Sequence, residues 1–133
     1  VLRERRFYAP GEVPPNATVI DDPAKVAEVR RALLMERAMV DEYGPTPERT
    51  VLASVPLGPE ERAWSSDPKY PDWKVRQLRR IGFFALGRVP PGADVINKTT
   101  AVGSWRDIYA RVREYQDKYG PTDERTVLAE VRL

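Results

Sequence analysis

Apolar positions along this chain follow two rhythms, alternation over short runs and three-to-four spacing over long ones. Leu2 to Ala9 reads as a strand with Phe7 and Tyr8 near its end, and Pro10-Gly11 stops it by removing a donor and permitting a turn. Asp21-Asp22-Pro23 then opens a helix, because an Asp side chain accepts an orphan N–H and Pro suits the first helical position. That helix runs from about Pro23 to Tyr43. Its apolar face is broad, through Val26, Val29, Ala32, Leu33, Met39, Val40 and Tyr43, which predicts the more enclosed of two core helices. The second starts near Ser104 and carries Trp105, Ile108, Val112, Tyr115 and Tyr119 as one buried stripe. Both end at Tyr-Gly-Pro, where Gly suits a left-handed C-cap and Pro prevents continuation. Strands are expected at Arg49 to Leu57, Arg79 to Leu86 and Arg125 to Leu133. Val19-Ile20 and Val95-Ile96 fit either short edge strands or anchors at the helix entry.

The pattern occurs twice. Sliding the chain against itself by 76 positions gives 25 identities in the 51 places from Phe7 to Leu57. Tyr43-Gly44-Pro45-Thr46 returns as Tyr119-Gly120-Pro121-Thr122, and Glu48-Arg49-Thr50-Val51-Leu52-Ala53 as Glu124-Arg125-Thr126-Val127-Leu128-Ala129. Repeat one covers about 3–57, repeat two 79–133, and an insertion without counterpart lies at 58–78. Units so small are expected to share one core in a single domain over 1–133.

Two tandem strand-helix-strand units predict an α+β fold: a four-stranded, mainly antiparallel sheet with two helices on one face, the ferredoxin-like arrangement, with the first and third strands central. A sheet of parallel, right-handed crossovers is the alternative. Because the shift is even, equivalent residues face the same way. Phe7 and Phe83 are expected to face the helices, and Arg6, Tyr8, Arg80, Phe84, Leu86, Leu52 and Leu128 the opposite side. The insertion, with Trp64, Tyr70 and Trp73 among prolines, is too aromatic for a flexible spacer, and Pro71 to Leu78 is long enough for two helical turns.

Composition narrows the chemistry. The chain has no cysteine and no histidine, which removes thiol nucleophiles, disulfides, the commonest general base and the commonest transition-metal ligands. No Gly-rich phosphate loop is present, Asp21-Asp22 reads as a helix cap without further metal ligands, and Glu48-Arg49 and Glu124-Arg125 read as turn residues. The expectation is a non-enzymatic protein with no catalytic residues, metal or cofactor. The net charge of +2 is too small to indicate a nucleic-acid or membrane partner by itself. With no long apolar run and no signal-like N-terminus, a soluble cytoplasmic location is expected. Abundant Arg and 13 prolines give a thermophile-like composition.

Three readings of the aromatic and Arg-rich surface compete. The insertion could bury the outer sheet face, leaving it without function. Trp64, Tyr70, Trp73, Tyr8, Phe84, Leu52 and Leu128 could bind a protein partner or assembly, self-association included, since Trp, Tyr and Phe are enriched at interfaces. A small regulator docking on a nucleic-acid-processing machine is the expected kind of protein. Alternatively, Tyr8 and Phe84 could stack single-stranded RNA or DNA while Arg6, Lys74, Arg76, Arg79 and Arg80 meet phosphates, with Arg3 and Arg5 extending the basic cluster. Arg80-Ile81-Gly82-Phe83-Phe84-Ala85-Leu86 resembles the third-strand signature of RNA-recognition-motif domains only in part: Ile81 separates the basic residue from Gly82, and adjacent aromatics point to opposite faces. A third possibility is a carboxylate-based enzyme or a small-ligand pocket between the repeats.

Overall fold

The computed structural model describes residues 2–59, 71–75 and 77–133. The fold is α+β. In chain order the elements are β1 (Arg3–Tyr8), β2 (Thr18–Val19), α1 (Pro23–Tyr43), β3 (Arg49–Pro56), α2 (Asp72–Val75), β4 (Arg79–Ala85), β5 (Asp94–Val95), α3 (Thr99–Tyr119) and β6 (Val127–Arg132). Val19 and Val95 thus lie in two-residue strands, resolving the ambiguity left by the apolar pattern. Every major element recurs close to the 76-residue shift, α1 and α3 with no offset at either end.

The single four-stranded sheet is not shown. The strands pair as two three-stranded antiparallel sheets, ordered β1-β6-β2 and β4-β3-β5. Both outer strand pairs of a ferredoxin-like arrangement are present, first with fourth and second with third long strand. The first and third long strands, expected side by side in the centre, are not paired with each other among the described residues, and the two-residue strands take the far sides of β6 and β3. Each sheet therefore mixes the repeats: β1 and β2 of the first repeat receive β6 of the second, and β4 and β5 of the second receive β3 of the first.

The chain divides into two compact units, Val1–Glu42 with Ala110–Leu133, and Tyr43–Tyr109. In the first, Phe7 lies opposite Leu128, and the two are 0% and 1% exposed. The α1 side chain Arg30 places its guanidinium 5.1 Å from the Phe7 ring centre. Tyr119 of α3 meets Tyr8, ring centres 6.0 Å apart. The α3 residues Asp117 and Arg113 pair with α1 residues Arg37 (3.5 Å) and Asp41 (2.9 Å), a reciprocal pattern that requires antiparallel helices here. In the second unit, Phe83 lies opposite Leu52, Arg106 stands 5.1 Å over Phe83, and Tyr109 packs edge-on against the same ring.

This register corrects the expected facing of Leu52 and Leu128. Residues directly opposite in an antiparallel pair share a face, so both leucines lie beside the phenylalanines rather than behind them. Strand β3 is buried on both faces, with Leu52, Ala53 and Val55 all buried, and so gives no clean inside-outside alternation.

The helices also differ from expectation. Asp22 does cap α1, its carboxylate accepting from the Ala24 N–H at 3.1 Å. But α3 begins at Thr99, five residues before Ser104, and Lys98 at the equivalent of Asp22 contributes its carbonyl, which accepts from the Val102 N–H. Val40 is fully buried on α1, and α3 buries Tyr109 and Gln116, while Ile108 of the expected stripe is 41% exposed. Gly44 and Gly120 end the helices without positive φ, which among the described residues occurs at Gly11, Gly87 and Gly92. Glycine is needed at 120 for space: a Cβ there would stand 2.7 Å from the Gln116 carbonyl oxygen. Among the described residues of the expected Pro71 to Leu78 helix, Asp72–Val75 form the turn α2, and Arg76 lies outside the described residues.

Candidate partner-binding surface

The repeated Gly-Pro-Thr-x-x-Arg segments are built as structural joints. Thr46 Oγ1 accepts from the Arg49 N–H, and Thr122 Oγ1 from the Arg125 N–H, each at 2.9 Å. Arg49 and Arg125 each donate Nε–H to the glycine carbonyl at the preceding helix end, Gly44 at 2.9 Å and Gly120 at 2.8 Å. A guanidinium at this end satisfies an orphan carbonyl and opposes the helix dipole.

The residues expected to bind a protein differ in exposure. Leu52 and Leu128 are core residues. Tyr8 is half-buried against Tyr119, and Phe84 is half-buried against Tyr43, ring centres 5.8 Å apart. These two contacts are equivalent under the duplication and depend on the strand exchange: each repeat's helix-end tyrosine covers the other repeat's strand aromatic. Trp73 stands on α2 and is 63% exposed. Trp64 and Tyr70 lie outside the described residues.

The basic residues are largely engaged. Arg6 is 2.6 Å from Glu4 and lies 4.0 Å from the Tyr119 ring centre. Arg80 stands 4.7 Å over Tyr43. Arg79 donates to Ser54 Oγ and to the Ser54 and Gly92 carbonyls, and pairs with Asp94 at 3.2 Å. Lys74 is exposed on α2, and Arg76 lies outside the described residues. Arg6 and Arg79 stand on strands of different sheets.

Two tyrosines of α3 guard the sheet edges. Leu133 N–H donates to the Leu2 carbonyl, so by alternation the backbone groups of Arg3, Arg5 and Phe7 point away from β6. Tyr115 donates its hydroxyl to the Arg5 carbonyl at 2.5 Å. Leu57 N–H likewise donates to the Leu78 carbonyl, which turns Ile81 outward from β3, and Tyr109 donates to the Ile81 carbonyl at 2.5 Å. Burial pushes the Tyr115 hydroxyl up to about 12 and raises that of Tyr109, so both remain protonated donors at neutral pH.

One juxtaposition was not foreseen from the sequence. Arg3 lies directly opposite Arg132, with Arg5 two places along the same face, and all three are exposed. The available signal was a break in the duplication, where Arg132 replaces Pro56. Among the described residues, no group of three or more His, Cys, Asp or Glu side chains could hold a metal ion, and no helix is long and apolar enough to cross a membrane. No protein-family model matches this chain, and no curated protein or solved structure matches it either.

Proposed function

We propose that this is a non-enzymatic binding protein that docks on a larger protein assembly, as a small regulator of a nucleic-acid-processing machine. The observation that carries the reading is Trp73, 63% exposed on the short helix α2. A tryptophan is highly buried on average and is the residue type most enriched at interface hot spots. Direct single-stranded nucleic-acid binding is less favoured. Tyr8 and Phe84 each already carry a tyrosine against the ring, and Arg6 and Arg79 have internal partners.

The test is capture of partners by the intact protein from lysate, at low and high salt and with nuclease, compared with Trp73→Ala. The variant should remain folded and lose a defined, nuclease-resistant complex, with little salt dependence. Unchanged capture by the folded variant removes Trp73 as the docking residue, and capture that disappears with nuclease moves the reading to nucleic acid.

A further inference from the structure

The duplication supplies an internal control for one cluster. Arg3 and Arg79 occupy equivalent positions, each on the edge strand of a three-stranded sheet. Around Arg79 the position is closed. Pro56 lies opposite, Ser54 accepts through both its hydroxyl and its carbonyl, and Gly92 and Asp94 complete the shell.

Around Arg3 every one of those positions has changed. Arg132 stands in place of Pro56, Glu130 in place of Ser54, Asn16 in place of Gly92 and Thr18 in place of Asp94. Arg3 and Arg132 form a non-hydrogen-bonded pair of the antiparallel ladder, because the adjacent Leu2 and Leu133 make the backbone bond. Side chains in such a pair come closest, with Cα atoms typically about 4.5 Å apart, and like charges placed there destabilise a sheet. Arg5 adds a third guanidinium on the same face, opposite Glu130. No ion pair within the described residues joins Arg3, Arg5 or Arg132 to a carboxylate. Even with Glu130 counted, the patch keeps a net positive charge.

We infer that Arg3, Arg5 and Arg132 form a recognition patch for the carboxylates of an extended acidic segment of a partner protein. This rests on the docking reading and names the chemistry of the partner. The guanidinium fork matches a carboxylate bidentately. Arg3 and Arg5 are two residues apart on a strand, about 7 Å, the spacing of alternate side chains in another extended chain. Phosphodiester backbone suits the site less well. Glu130 interrupts the positive field, and the aromatic ring of this face, Phe7, is fully buried and offers no stacking surface.

The experiment uses the full chain and a fluorescein-labelled octapeptide of alternating Glu and Thr, read by anisotropy at low and high salt. A single-stranded oligonucleotide of equal charge is the competitor. The peptide should bind, added salt should weaken it, and Arg3→Ala combined with Arg132→Ala should weaken it about tenfold. Arg79→Ala, at the equivalent but internally satisfied position, should leave it unchanged. A second readout is independent of any ligand: Arg132→Ala should raise the melting temperature at low salt and lose that gain at high salt. Absence of peptide binding up to millimolar concentration, or equal binding by the double variant, overturns the inference. So does preferential oligonucleotide binding that the same double variant abolishes. If partner capture depends on Trp73 but not on these arginines, the docking reading stands and this patch assignment falls. If no protein is captured at all, the docking reading itself falls.

Discussion

The two sheets descend from one sequence pattern and solve the same packing problem differently. In the first unit, Tyr119 reaches Tyr8 with Arg6 stacked on the tyrosine ring and Glu4 holding Arg6 in place. In the second, Tyr43 reaches Phe84, but the position of Arg6 is Gly82 and that of Glu4 is Arg80, which itself lies over Tyr43. The glycine lets the helix end come close: a Cβ at 82 would stand 2.9 Å from the Tyr43 Cβ. The cation over the tyrosine is therefore kept while its source moves two residues along the strand. What the duplication preserves is the contact, not the residue. Around Arg3 and Arg79 it preserves the residue but not the contact, and the difference marks a position released from packing.

The comparison breaks most readily at the two phenylalanines. Phe7→Ala and Phe83→Ala should each destabilise the protein by about 3–5 kcal/mol in denaturant unfolding, because each ring is fully buried between a helix arginine and a leucine. Similar losses would uphold the equivalence of the two sheets, whereas a loss under about 1 kcal/mol at either position would deny that ring its core role.

A smaller effect of opposite sign is expected at the helix position where the repeats disagree about polarity. Gln116 is 2% exposed with neither amide atom hydrogen-bonded among the described residues, and its equivalent is Val40, also 2% exposed. Gln116→Val removes an unsatisfied buried amide and should stabilise by about 1–3 kcal/mol. An unchanged or lowered melting temperature would mean that the amide is satisfied in solution.

The smallest effect belongs to the edge tyrosines and is read through pH. The Tyr115 hydroxyl is raised above its ordinary value near 10 to about 12 by burial, with Glu4 adding and Arg6 opposing. A raised folded-state value means that this contribution is fully present below pH 10 and is lost as pH rises from about 10 to 12. Tyr115→Phe should flatten that part of the stability profile relative to the parent, and an identical alkaline slope in both proteins would show that Tyr115 contributes nothing there.

Local signals in the sequence carried far. Asp22-Pro23 and Tyr43-Gly44-Pro45 bound the first helix where the structure places it, because capping and chain stopping depend on a few neighbouring residues. The second helix was less legible from its own cap signal than from the repeat: Ser104 looked like a start, yet the shift from Pro23 points to Thr99, where the helix begins. The candidate surface was legible only in pieces. Trp73 is exposed as an interface residue must be, whereas Leu52 and Leu128 looked outward only because β3 and β6 were assumed to have one wet face. Arg79 looked like a phosphate ligand because Ser54, Gly92 and Asp94 approach it from sequence distances of 13 to 25 residues.

The sequence by itself determined the duplication, the helix-ending joints and the parity that makes equivalent residues share a face. Those are properties of local chemistry and of a fixed 76-residue shift. Only the tertiary structure decided that each repeat gives its last strand to the other repeat's first, and which residue stands opposite which. Parity within a strand follows from the two-residue pleat, but cross-strand register depends on the whole set of contacts. Register is what buries Leu52 beside Phe83, closes the shell of Arg79 and leaves Arg3 facing Arg132.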